Sequence, residues 1–108
     1  MDDIELLEMA AKAAGYQVEW VKNSGCLYRC EEEVGREQFD SLDDDGDALR
    51  LAADIGLDIM WLTSQQSVCA SRRGIGEIIG WLDDSGRAGA LRRAITVAAA
   101  KIGAKEAA

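Results

Sequence analysis

Nine carboxylates crowd the stretch from Glu31 to Asp47: Glu31, Glu32, Glu33, Glu37, Asp40, Asp43, Asp44, Asp45 and Asp47, against one base, Arg36. Acids at that density can do three things: hold a hard cation, share a proton in acid–base catalysis, or present phosphate-like charge to a basic surface. Calcium binding of the EF-hand type needs acids at loop positions 1, 3 and 5, Gly at 6 and a bidentate Glu at 12. Setting Gly46 at position 6 brings Ser41, Asp43 and Asp45 to the first three places but Ala52 to the last, so no metal site is expected. Acid–base work needs an apolar pocket that pushes two carboxyl pKa values apart, and acids strung along a polar loop lack one. Charge display remains. Asp45 or Gly46 is expected to cap the helix that follows, with Asp44, Asp45 and Asp47 complementing its dipole. Glu31, Glu32, Glu33, Glu37, Asp40, Asp43, Asp44 and Asp45 form the candidate partner-binding surface; the alternative is a loop that only confers solubility.

Other chemistry is thinly supplied. The chain has no histidine, which removes Ser-His-Asp and Cys-His catalysis and every histidine base or zinc ligand. Cys26, Cys30 and Cys69 form no C-x-x-C pair. Cys26 and Cys30, four apart on a strand, would lie about 13 Å from each other, too far to bridge. Reduced structural thiols are expected. Gly74-Ile75-Gly76-Glu77-Ile78-Ile79-Gly80 has its third glycine one place late for a dinucleotide fingerprint and no Lys-Ser/Thr after it, so it reads as a turn and a sheet glycine. Arg92-Arg93 is either a solvated helix face or an anion clamp. No enzyme activity and no cofactor are expected.

Charge is unevenly distributed over the 108 residues. The net of −8 divides into −11 over residues 1–58 and +3 over residues 59–108. Direct nucleic-acid binding is disfavoured for such a chain. No run approaches the roughly 18 apolar residues of a membrane span. The acidic opening Met1-Asp2-Asp3-Ile4-Glu5 does not resemble a signal peptide, so a cytoplasmic location is expected.

The elements that must position these residues follow from periodicity. Ile4, Leu7, Ala11 and Ala14 mark one helical face, stopped at Gly15. Tyr16, Val18 and Trp20 switch to a period of two, and Asn23-Ser24-Gly25 turns the chain into a strand over 26–30. Neither period is present in 31–46, which reads as loop. Ala48, Leu51, Ala52 and Ile55 form a second helix ended by Gly56. The strand 57–62 is apolar on both sides, which argues for cover on both faces. Two further strands precede a last helix starting near Asp84 or Ser85 and ended by Gly103. The expectation is one α+β domain over 1–108. It has helices near 3–14, 46–55 and 85–102, and a mainly antiparallel sheet of four or five strands in an α/β/α sandwich.

One resemblance adds to this reading. Leu42, Asp44-Asp45-Gly46-Asp47-Ala48-Leu49-Arg50-Leu51-Ala52, then Arg92-Arg93-Ala94-Ile95 and Ala98-Ala99-Ala100-Lys101-Ile102-Gly103, resemble the phage α/β/α ("ABA") sandwich domain family. That family carries W-N-P-L-x-D-D-G-D-A-L-R-L-A and R-R-A-I-x-x-A-A-A-x-I-G. The opening helix 5–15 is similar too. Phe39-Asp40-Ser41 replaces the family's Trp-Asn-Pro, keeping an aromatic anchor without the proline. The resemblance implies the sandwich fold and a bacteriophage or prophage origin, and no activity. The functional expectation is therefore a small acidic accessory protein that binds a host or phage protein with a basic surface, in its sharpest form an inhibitor of a defence or nucleic-acid-handling complex such as CRISPR–Cas. A homo-oligomeric structural or regulatory module, such as a homodimer, is the alternative, with an exposed Trp20 or Trp61 marking the interface.

Overall fold

Two helix-and-meander units run in tandem, and a long third helix closes them. The computed structural model describes residues 2–31 and 35–107. Asp2 caps the first helix, α1 (Asp3–Ala14), by accepting from the Glu5 N–H at 2.8 Å, and Gly15 ends it at φ 76°. Only a residue without Cβ enters that left-handed region freely. Strands β1 (Val18–Val21), β2 (Cys26–Glu31) and β3 (Gly35–Gln38) follow as an antiparallel sheet. The pattern then repeats: Asp44 caps α2 (Asp45–Ile55), Gly56 ends it at φ 80°, and β4 (Asp58–Leu62), β5 (Ser67–Arg72) and β6 (Ile75–Gly80) form a second antiparallel sheet. A 3-10 turn at Asp84–Gly86 leads into α3 (Arg87–Ala107).

The fold is thus α+β, with three helices and two antiparallel sheets of three strands each among the described residues. No sheet of four or five strands forms, because α2 separates the two meanders and each completes its own ladder. The extra strand is β3. It was invisible to periodicity because Gly35, Arg36, Glu37 and Gln38 are polar and exposed on both faces. The backbone ladder to β2, from Tyr28↔Gln38 to Glu31↔Gly35, holds it without an apolar stripe. Residues 35–38 are therefore strand, not loop.

Helix α3 organises the core. Ala90, Ala94, Ile95, Ala98, Ala99 and Ile102 meet Leu7, Ala10 and Ala11 of α1, Leu51 and Ile55 of α2, and Val68 and Ala70 of β5. Small side chains let helices approach closely, and the limit is reached at Gly103. A Cβ there would stand 2.2 Å from the Met9 carbonyl oxygen. Gly103 does not end the helix as expected; it is an internal residue where α3 crosses α1, and the helix continues to Ala107.

Strand β4 also departs from expectation. Its apolar residues are not covered on both faces: Asp58, Ile59, Met60 and Trp61 are all exposed. Helix α3 packs on β5 and β6 and leaves β4 at the rim of its sheet. No helix among the described residues is long and apolar enough to cross a membrane.

Candidate functional site

The acidic segment is built on a strand, a tight turn and a helix start. Glu31 ends β2 opposite Gly35, and Glu37 stands exposed on β3 opposite Arg29. Glu32 and Glu33 lie outside the described residues. Arg36, the one base of the stretch, pairs with Glu19 of β1.

Beyond β3 the chain is fastened inward. Phe39 is 2% exposed, its N–H donates to the Leu27 carbonyl at 2.9 Å, and its ring meets Tyr16 edge-on at 5.7 Å. Leu42 is partly buried against the same core. Phe39 and Leu42 together hold the segment down on the core. Between them Ser41 is fully buried, its hydroxyl 2.7 Å from that of Thr96 on α3. Thr96 donates to the Arg92 carbonyl one turn earlier, at 2.9 Å. A hydroxyl has one proton, so Ser41 is the donor and Thr96 the acceptor.

Several acids serve this architecture. The Asp40 carboxylate accepts from the N–H groups of Leu42 and Asp43 at 3.2 and 3.3 Å, closing the turn. The Asp40 N–H donates to Asp47 at 2.9 Å. Asp44, rather than Asp45 or Gly46, is the N-cap of α2, accepting from the Asp47 N–H at 2.8 Å. Asp45 enters the first helical turn and pairs with Arg92 at 2.6 Å, while the Arg92 Nε donates to the Leu42 carbonyl at 2.9 Å. Arg92 is thus an anion clamp directed at its own chain.

The structure brings Asp40, Asp43, Asp44 and Asp47 together with Gln38 around a cleft of about 340 Å³ that no basic side chain lines. Burial raises the Asp40 carboxyl pKa above the ordinary value, and the neighbouring Asp43 charge adds to the rise. Beside the core, the Tyr16 hydroxyl donates to Asp54 under the Arg29 guanidinium, which lies 3.8 Å from the ring centroid. Desolvation first, and Asp54 second, hold that phenol protonated far above its usual range. Cys26, Cys30 and Cys69 are free and half-buried. Among the described residues no group of three or more His, Cys, Asp or Glu is placed to hold a metal ion.

Two residues that matter here, Ser41 and Thr96, were not singled out for these roles by sequence. One signal was available: Thr96 sits among Ala94, Ile95 and Ala98 on a buried face, where a hydroxyl requires a partner. What the arrangement offers chemically is displayed negative charge on a rigid mount, with Glu37 and Asp43 exposed and, among the described residues, neither ion-paired nor capping a helix. Compared with protein-family models, curated proteins and solved structures, the chain gives no match.

Proposed function

We propose that this chain is a small acidic phage-encoded accessory protein that acts by binding, without catalysis, a basic surface on a host or phage protein. The observation that carries the reading is the cleft lined by Gln38, Asp40, Asp43, Asp44 and Asp47, whose turn-closing and helix-capping acids mount the exposed Asp43 beside the exposed Glu37 of β3. Carboxylates fixed on β3 and on the capped start of α2 meet a partner with little loss of conformational freedom, which favours binding. In its sharpest form the partner is a nucleic-acid groove of a defence complex such as CRISPR–Cas, with the carboxylates standing in for phosphates. The phage ABA sandwich resemblance belongs to the same reading. In it, α3 forms one layer on β4–β5–β6, and a further layer would lie over the exposed Met60 and Ile78 side.

The test is the Glu31, Glu32, Glu33→Gln triple variant, joined by Glu37→Gln, in pulldowns from bacterial host lysate. None of these four acids takes part in capping α2, so the fold should survive. Association with the captured partner should slow, and its salt dependence should weaken as the Debye length falls from about 10 Å at 0.1 M to about 3 Å at 1 M. Equal capture by wild type and variant across that salt range would refute the charge-display reading. A second reading, the homo-oligomeric module, is favoured by a separate observation: Ile59, Met60 and Trp61 are exposed together on β4.

A further inference from the structure

Three of the exposed large hydrophobic side chains among the described residues, Ile59, Met60 and Trp61, lie on β4, and Ile78 of β6 shares the Met60 sheet face across Cys69. Strand β4 is a rim strand bonded on one side only, to β5. The other edge of such a strand presents unpaired backbone N–H and C=O groups. Proteins usually guard it with charge, proline or a bulge, yet Ile59 to Leu62 carries no charge and the chain contains no proline. Met60 is 62% exposed and Trp61 44%, the latter held edge-on against Trp81 at 5.9 Å.

We propose that β4 is the edge along which two copies of this chain pair, antiparallel about a two-fold axis at Met60, joining two three-stranded sheets into one of six. This deepens the homo-oligomeric reading and rests on it. A second copy is the fitting occupant for two reasons. The first is charge. Residues 58–80 carry Asp58, Arg72, Arg73 and Glu77, which balance, although the whole chain carries −8. Two such sheets therefore meet without the repulsion that the acidic half would impose. The second is register. A two-fold at Met60, the middle of the five-residue strand Asp58–Leu62, sets Ile59 opposite the partner's Trp61. That is an aromatic–β-branched pair of the kind that stabilises antiparallel strands. The same register places Asp58 beside the partner's Leu62 instead of against a second Asp58. Five residues span only about 17 Å, so the contact is smaller than the standard interface of about 800 Å² per partner. The dimer should therefore form in a concentration-dependent way.

Sedimentation velocity on the full chain, over about 1–500 μM and at about 0.1 and 1 M salt, tests this, since weak self-association appears only across a wide concentration range. Wild type should shift from monomer to dimer, with the dimer retained at high salt. Met60→Lys, which places two cations face to face at the axis, should weaken dimerisation about tenfold or more. Ile78→Lys, on the same sheet face but away from the edge, should leave it unchanged. Hydrogen exchange of wild type supplies a readout that needs no variant: the β4 amides should slow with rising concentration and those of β6 should not. A chain monomeric at every concentration overturns both the edge and the homo-oligomeric reading. A dimer indifferent to Met60→Lys, or one lost equally on Ile78→Lys, overturns the edge alone.

Discussion

The buried hydroxyl chain beneath the acidic segment makes an asymmetric prediction. Ser41 donates to Thr96, and Thr96 donates to the Arg92 carbonyl, with both side chains at 0% exposure. Thr96→Val keeps the shape but leaves the Ser41 proton facing a methyl group, and a buried unpaired polar group costs about 1–3 kcal/mol. Ser41→Ala leaves the Thr96 proton still bonded to Arg92 and removes only one net hydrogen bond, about 1 kcal/mol. The double variant has no orphan, so it should be no less stable than Thr96→Val alone, and the coupling should exceed about 1 kcal/mol. Urea denaturation of the four proteins measures this. With m of about 1–2 kcal/mol per M for a small domain, Thr96→Val should lower the midpoint by about 1–2 M. Refutation would be additive single effects, or Ser41→Ala proving the costlier change, because either means the proton does not run from Ser41 to Thr96 to Arg92.

Phe39→Ala should destabilise the fold by about 3–5 kcal/mol, since the ring is 2% exposed and seated against Tyr16; a loss below about 1 kcal/mol in the same urea assay would show that the segment is not anchored there. Gly103→Ala should destabilise although alanine is the better helix former by about 1 kcal/mol. Its Cβ would sit 2.2 Å from the Met9 carbonyl oxygen, and overpacking of this kind costs about 1–3 kcal/mol. Gly89→Ala, whose Cβ meets only the tip of Arg92 at 3.5 Å, should stabilise by up to about 1 kcal/mol, and thermal melting compares the two. Asp40→Asn should be at least as stable as wild type at pH 7, because the amide oxygen can still accept from Leu42 and Asp43 while the half-buried charge beside Asp43 is gone. The folded carboxyl titrates above its unfolded value near 3.9, so on acidification the folded chain takes the proton first. Wild type should therefore gain on the variant as pH falls through that raised pKa, and a variant advantage that instead grows toward pH 4 would contradict the shift.

The helices and most strands were legible because their signals are local. Ile4, Leu7 and Ala11, or Ala48, Leu51 and Ala52, repeat at helical spacing, and Gly15 and Gly56 stand where a left-handed cap is needed. What could not be read was non-local. Strand β3 exists through pairing with β2, not through a pattern of its own. Gly103 reads as a stop in any sequence, and only the closeness of Met9 makes it a crossing point. Apolar residues on both faces of β4 suggested two covering layers, but in the fold β4 is a rim strand with Ile59, Met60 and Trp61 exposed. Arg92 is ambiguous until Leu42 and Asp45, some fifty residues away in sequence, are seen at its guanidinium.

That last contact changes how the acidic run must be weighed. Counted in sequence, residues 31–47 hold nine equivalent acids. In the fold they divide by task. Asp44 caps α2, Asp45 answers Arg92, Asp47 holds the Asp40 N–H, and Asp40 closes the turn. These four would rank poorly as recognition groups, since engaging a partner cation means sharing a carboxylate already committed to a backbone N–H or a guanidinium. Among the described residues, Glu37 and Asp43 carry no such duty. On the proposed reading, the committed acids set the geometry and the uncommitted ones meet the partner. Neutralising Asp44, Asp45 or Asp47 should therefore lower stability with modest direct effect on association, whereas neutralising the second group should slow association and leave the urea midpoint in place.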